Sequence, residues 1–251
     1  MRMILRLVLV CALALPLATA EAADAPAGGQ PPLTVVELFT SQGCSSCPPA
    51  DALLSRLAER EDVIALSMHV DYWDYIGWKD PFASPVITER QRDYAASLGG
   101  RYVYTPQMVI QGTAEAVGSN ARNVEWRIKE ARKLPRVTVG LTADIAADKV
   151  TVSLPPAETM ESHTVLLAVY DDEKVMDVLR GENGGRRLKY SHVVRELRRI
   201  GTWRGEATEI PLRLSELRAK DSDAYACAVL LQSMETGRII GAAKIELNQA
   251  R

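Results

Sequence analysis

The stretch Val35-Val36-Glu37-Leu38-Phe39-Thr40-Ser41-Gln42-Gly43-Cys44-Ser45-Ser46-Cys47-Pro48-Pro49-Ala50-Asp51 constrains the fold more than any other part of the chain. Its apolar, β-branched start predicts a buried strand. Ser41-Gln42-Gly43 predicts a short polar turn. Ala50, Leu53, Leu54 and Leu57 then recur at helical spacing, so Cys44 and Cys47 fall at the mouth of a helix. Two thiols at that spacing can close a short disulfide. The unpaired N–H groups and the dipole of a helix start favour negative charge, hence a thiolate. The thiolate is the form that attacks another disulfide. These residues point to thiol–disulfide chemistry.

The N-terminus sets the redox compartment. Arg2 and Arg6 precede the apolar run from Leu7 to Leu17, and Ala18-Thr19-Ala20 or Ala20-Glu21-Ala22 offers a cleavage site. Residues 1–22 therefore read as a signal peptide. The apolar run is too short for a comfortable membrane span. Cys11 lies inside it and follows bulky Val10, which does not fit a lipid-attachment cysteine. No later stretch is long and apolar enough to span. The expectation is a periplasmic or secreted bacterial protein with no stable membrane insertion. Cleavage leaves Cys44, Cys47 and Cys227, an odd number, which divides most simply into one reactive pair and one spare thiol. The spare, within Tyr225-Ala226-Cys227-Ala228-Val229, reads as a buried inert thiol. A net charge of −2, with no basic stripe interleaved with aromatics, implies no nucleic-acid partner.

Residues 23–32 are a flexible leader of Ala, Gly and Pro. Strand Leu33 to Phe39 and the helix after the cysteines follow, then a near-continuous apolar strand, Val63 to Val70. An aromatic loop spans Asp71 to Phe82. Ser84 as cap and Pro85 at the first position open a second helix, which stops at Gly99-Gly100. A strand is entered through Pro106, a short one follows at Glu115 to Val117, and Ser119 or Asn120 caps a helix through Lys133. Beyond Pro135 the texture changes to short alternating strands: Val137 to Thr142, Lys149 to Leu154, Val165 to Tyr170, Thr208 to Leu212, Tyr225 to Leu231 and Ile239 to Leu247. That pattern predicts a mostly antiparallel β-sandwich-like domain. One basic interruption, residues 181–205, predicts a helix over Ser191 to Ile200.

The order of elements together with the dithiol resembles the thioredoxin superfamily over residues 33–134. The closer resemblance is to a family of secreted thioredoxin-like bacterial proteins of unknown function, DUF1223. It rests on Glu37 to Asp51, on His69-Val70-Asp71-Tyr72-Trp73-Asp74, on Tyr104-Thr105-Pro106-Gln107 and on Arg180-Gly181-Glu182-Asn183-Gly184. The implied fold class is α/β: a thioredoxin-like mixed sheet flanked by helices over 33–134, then the β-sandwich-like domain over 135–251. The resemblance implies that Pro106 is cis, with Thr105 held toward an incoming peptide. The competing reading is a trans proline that starts an edge strand. By position, an exposed Cys44 is the nucleophile and Cys47 the resolving thiol, with protein or small-molecule thiols and disulfides as partners. Glu37 stands one residue further from Cys44 than the buried acid of thioredoxins. It is either a buried base with a raised pKa or a strand-end carboxylate reaching solvent.

Other classes stay open. The second reading is an inert disulfide in a binding or scaffold module. His69 and Met108 are soft donors of the kind that suits Cu(I), the metallochaperone reading, although core filler is the commoner role. His163 and His192 show no ligand spacing, and half a zinc site is not a zinc site, so no cofactor or metal is assigned. Tyr72, Trp73, Tyr75 and Trp78 form either a peptide-binding rim or a packed loop. Arg186 to Arg199 reads as a solvated face, and Asn183-Gly184-Gly185 as a turn.

Overall fold

A computed structural model of the chain describes residues 32–218 and 224–247; the signal peptide expected at 1–22 and nearly all of the 23–32 leader lie outside them. Strands β1 (Thr34–Thr40) and β2 (Val63–His69) are buried along their whole length. They pair in parallel, Thr34 opposite Val63 and Thr40 opposite His69. Parallel neighbours need a long crossover, and helix α1 (Pro48–Ala58) supplies it. Helix α2 (Pro85–Ser97) starts as expected: Ser84 Oγ accepts from Val86 N at 3.3 Å, and Pro85 occupies a position whose missing N–H costs nothing. Strand β3 (Gln107–Ile110) runs antiparallel to β1, β4 (Ala114–Val117) pairs with β3, and α3 (Ala121–Ala131) begins under an Asn120 cap.

Beyond Pro135 come β5 (Gly140–Asp144), β6 (Lys149–Leu154), β7 (His163–Val178), β8 (Arg186–Trp203), β9 (Thr208–Arg213), the short α4 (Leu214–Arg218), β10 (Ala224–Ser233) and β11 (Ile239–Glu246). The result is a large mixed sheet of eight strands, ordered β11-β10-β7-β8-β2-β1-β3-β4, with a second sheet of three, β5-β6-β9. Pro135 thus divides two stretches of chain that share one sheet. They meet where Ser67 of β2 pairs with Val193 of β8. Ile239 N donates to Gln111 O (3.0 Å) and Gln111 Nε2 donates to Ile239 O (2.6 Å), which adds a further stitch.

The side-chain alternation of strands decides what covers each face. Val35 and Phe39 of β1, Ile64, Leu66 and Met68 of β2, and Ala226, Ala228 and Leu230 of β10 share one core with Ile87 and Tyr94 of α2. Val36 and Leu38 point the other way, into a core with Leu53, Leu54 and Leu57 of α1 and with Val124 and Ile128 of α3. Farther along the sheet, Val165, Leu167, Val229 and Leu231 pack against Val150 and Val152 of β6. That is the sandwich-like contact the alternating pattern predicted.

The helix expected over Ser191 to Ile200 is not formed. Those residues lie within β8, which is laddered to β7 from Trp203 opposite His163 to Arg186 opposite Val178. The spaced arginines imitate a solvated helix face. The outcome is set by a partner strand of 16 residues, which gives β8 a ladder along nearly its whole length. No helix among the described residues is long and apolar enough to cross a membrane.

Candidate functional site

The turn after β1 closes on itself, with Cys44 N donating to Ser41 O and Cys47 N to Cys44 O, each at 3.2 Å. Cys47 is the N-cap of α1, and Pro48 and Pro49 follow. Cys44 and Cys47 form a disulfide with Cα atoms 5.4 Å apart. Cys227 is the remaining thiol of the described residues; it is buried in β10, and burial pushes its pKa up to about 12. It is the inert spare that was expected.

The Thr105–Pro106 peptide is cis. It is drawn to the start of α1 through Gly118, whose N–H donates to Pro106 O at 2.9 Å. A Cβ placed on Gly118 would lie 3.0 Å from Ala50 Cβ and Leu38 Cδ1 and 3.2 Å from Pro106 Cβ, so only glycine lets these three meet. Trp73 Nε1 donates to Thr105 Oγ1 at 2.8 Å, tying the aromatic loop to the cis bond. Trp78 is likewise committed, its Nε1 donating to Gln42 Oε1 at 2.8 Å, and Tyr72 donates to Gln91. Tyr75 alone of the four is widely exposed, at 82%. The aromatic loop is therefore mostly a packed brace.

Two expectations fail here. Cys44 is not exposed: it is 1% accessible and Cys47 0%, while Ser45 and Ser46 face solvent. The tip of the β7–β8 hairpin is bound to the same turn. Asn183 Nδ2 donates to Gln42 O and Cys44 O, both at 2.9 Å, and Glu182 Oε2 accepts from Ser45 N at 3.0 Å and Ser45 Oγ at 2.6 Å. These Ser45 bonds hold the Glu182 carboxyl below its usual range. Arg180 to Gly184, quoted above only for the family resemblance, is part of the site, and Asn183 to Gly185 was read from sequence as a turn.

Glu37 is buried, but it is not a base for Cys47. It points with Val35 and Phe39 toward α2, on the sheet face opposite α1. Arg90 Nε and Nη2 reach its carboxylate at 2.6 and 3.0 Å, and Tyr94 Oη donates to it at 2.5 Å. Burial lowers the Arg90 pKa, but the charges of Glu37 and Tyr94 more than reverse that.

The carboxylate on the α1 face is Asp51, one helical turn after Cys47, its backbone N–H donating to Cys47 O at 3.1 Å. Thr40 Oγ1 donates to Asp51 Oδ1 at 2.9 Å. Burial raises the Asp51 pKa to about 7, against the opposing pull of His69 and Thr40. Asp51 also lines a pocket between α1 and β8 with Pro48, Ser55 and Leu188. Beside it, Asp80 Oδ2 accepts from Gln42 N at 2.9 Å and sits 2.7 Å from His69 Nδ1. Burial would raise the Asp80 pKa, but His69 and the backbone donors of Gln42 and Phe82 together lower it. His69 stacks edge-on against Tyr190 at 4.8 Å. Its Nδ1 is thus engaged by Asp80, Met108 is sealed in the α1-side core, and no group of three or more His, Cys, Asp or Glu fit to hold a metal occurs among the described residues. His192 Nδ1 contacts Ala65 O and His163 lies beside Glu161, far from one another in the sequence and in separate strands or strand ends.

Asp51, Gln42, Asp80, Glu182 and Asn183 all fall inside segments singled out from the sequence, where none of them was given a role in the site. The usable signal was the spacing: an acid four residues after a cysteine on a helix shares its face.

Fold and site define a mixed α/β protein with a Cys-x-x-Cys disulfide at the start of a helix, a cis proline drawn to that helix, and a hairpin tip hydrogen-bonded to the cysteine turn. The chain belongs to the DUF1223 family, described as proteins of unknown function, whose model matches residues 35–232. It is similar to an X-ray crystal structure of a protein from Agrobacterium tumefaciens, at 34% identity and a TM-score of 0.74, covering 88% of this chain and 96% of that one. HBP35 of Porphyromonas gingivalis shares the fold at 16% identity and a TM-score of 0.55, over 89% of this chain and 78% of that one. No curated protein matches the sequence.

Proposed function

We propose that the protein is an exported thiol–disulfide exchange protein whose residues 33–134 form a thioredoxin-like unit, with thiols and disulfides of other proteins or small molecules as its partners. The observation that carries this reading is the Cys44–Cys47 disulfide at the start of α1, with the cis Thr105–Pro106 peptide drawn to the same helix through Gly118. The order β2-β1-β3-β4 around that helix supports it.

From the oxidised state, a partner thiolate attacks Cys44 Sγ. The Cys44–Cys47 bond breaks and Cys47 leaves as a thiolate. Cys47 takes a proton from Asp51, whose pKa of about 7 suits it to hold that proton and to recover it from solvent at neutral pH. The partner's second thiolate then attacks the partner sulfur of the mixed disulfide. Cys44 is released as a thiolate favoured by the helix start. Two electrons have passed from the partner dithiol to the Cys44–Cys47 pair, and the reverse sequence oxidises Cys44 and Cys47.

Reduction of insulin in the presence of dithiothreitol tests the proposal, with Cys44→Ser as control. The wild type should accelerate precipitation of the insulin chains and the variant should not; equal rates would reject exchange. Export is tested by expressing the full chain in a bacterium and finding the processed protein in the periplasm, where retention of uncleaved protein in the cytoplasm speaks against it. One observation favours a second reading, a structural staple in a scaffold: both sulfurs are buried.

A further inference from the structure

The β7–β8 hairpin reaches the cysteine turn by a specific path. Beyond Val193, β8 no longer pairs with β2. The outer half of the β7–β8 hairpin leaves the sheet and lies along α1, where Ser191 and Ser55 hydroxyls meet at 2.9 Å. Val178, Leu188, Tyr190 and Val193 fasten this arm to Phe82 in a small apolar cluster. The tip itself has no such anchor. It is Gly181-Glu182-Asn183-Gly184, seated on the cysteine turn by polar contacts and by one side chain: Ile76 Cδ1 lies 3.0 Å from where a Cβ would stand on Gly43 and 3.1 Å from the corresponding point on Gly181.

The polar contacts differ in kind. Glu182 is exposed, and its carboxylate holds both Ser45 N and Ser45 Oγ from the solvent side. Asn183 is fully buried and gives both side-chain protons to the carbonyls of Gln42 and Cys44, while Arg186 Nη1 donates to its Oδ1 at 2.7 Å. A side-chain amide that donates to two main-chain carbonyls beside a disulfide occupies acceptors that the backbone N–H of a visiting peptide can use.

We propose that the tip, Gly181 to Gly184, is a displaceable lid on the Cys44–Cys47 disulfide, opened by polypeptide partners that replace Asn183 on the carbonyls of Gln42 and Cys44. The inference rests on the exchange reading above and adds its partner class: extended peptide segments rather than small thiols. A small reductant brings no such donors and waits for the lid to lift by itself.

The probe for access is tris(2-carboxyethyl)phosphine acting on the oxidised full-length protein. The phosphine attacks one sulfur, the S–S bond breaks, and water supplies the oxygen of the phosphine oxide and the two thiol protons. Thiols are counted by alkylation and intact mass. Glu182→Ala and Asn183→Ala should each raise the reduction rate about fivefold or more, and adding Ser45→Ala to Glu182→Ala should add nothing. Rates within twofold of wild type for both single variants would overturn the lid. If Asn183→Ala fails to fold, as judged by near-ultraviolet circular dichroism, Glu182→Ala and Ser45→Ala decide alone, since both residues lie at the surface. For partner class, the wild type is compared with Glu182→Ala using a reduced two-cysteine peptide and the phosphine. The variant should gain several-fold less with the peptide than with the phosphine, and equal gains would overturn the peptide-opening claim. Peptide that reacts with neither protein rejects the exchange reading, while the phosphine rates still judge the lid.

Discussion

Asp51, on the inner face of α1, and Glu37, on β1 beneath α2, are both buried, and what each faces sets its role. Asp51 has one close hydrogen-bond partner, Thr40, and a folded pKa of about 7 against 3.8 in its absence of structure. Between those values the folded protein holds more protons than the unfolded chain, so stability is fullest below about pH 4 and falls as pH rises to about 7. The total is on the order of 4 kcal/mol. Asp51→Asn keeps an acceptor for Thr40 and removes the charge. It is expected to melt higher than wild type at pH 8, by roughly 5–10 °C, with the gap closing near pH 4, and to exchange disulfides about tenfold more slowly. Thermal melts across pH and the insulin assay read the two effects, and a variant less stable than wild type at pH 8 would contradict the assignment. Glu37 carries the opposite expectation. Arg90→Met strands its carboxylate in the core and should cost about 3–5 kcal/mol in urea unfolding. The placement of Cys44 and Cys47 was legible in the sequence because strand, turn and helix signals surround them locally, and the cis Pro106 came only through the family resemblance. Glu37 was legible only as a question, since its burial follows from strand alternation while Arg90 and Tyr94, which answer it, lie 53 and 57 residues on. Asp51 needed the knowledge that its helix face turns inward.

At the scale of elements, the start of α1 is where β1, the cis-proline approach to β3 and the β7–β8 hairpin converge. Gly118 is the hinge of that convergence. Gly118→Val would press its side chain into Ala50, Leu38 and Pro106; overpacking of this kind costs about 1–3 kcal/mol. A lower melting temperature is expected together with a loss of insulin reduction greater than the loss of folded protein explains. Unchanged activity would show that the Pro106 approach is not needed. The capped and proline-marked starts of α2 and α3 were readable because the signals are local. The arm of β8 was not. Its arginines repeat at a spacing that suits a solvated helix, and nothing within the segment reveals that β7 lies beside it. The turn residues at Asn183 and Gly184 were read correctly as a turn, but the target of that turn is more than 130 residues earlier in the chain.

Taken whole, the molecule is built on one eight-stranded sheet that draws strands from both sides of Pro135. The core under α2 mixes Phe39, Ile64 and Met68 with Tyr170, Val194 and Ala228, so neither half of the chain buries that face alone. Urea unfolding of the full-length protein should therefore give one transition, coincident by tryptophan fluorescence and far-ultraviolet circular dichroism; two separated transitions would show halves that fold independently. The change of texture after Pro135 was visible in the sequence, and so was the sandwich contact between β6 and β7. The joining of β8 to β2 was not, because it rests on a single pair, Ser67 with Val193. This joining is what carries Glu182 and Asn183 to the cysteines and makes the site a product of the whole chain. The claim that the disulfide is redox-active is tested most directly by equilibrating the protein with dithiothreitol buffers of known potential and measuring the fraction of Cys44–Cys47 oxidised by alkylation and mass. The account predicts full reversible equilibration with a midpoint above roughly −300 mV, the range of exchanging rather than structural disulfides; a midpoint below that value, or a bond that never equilibrates, would contradict it.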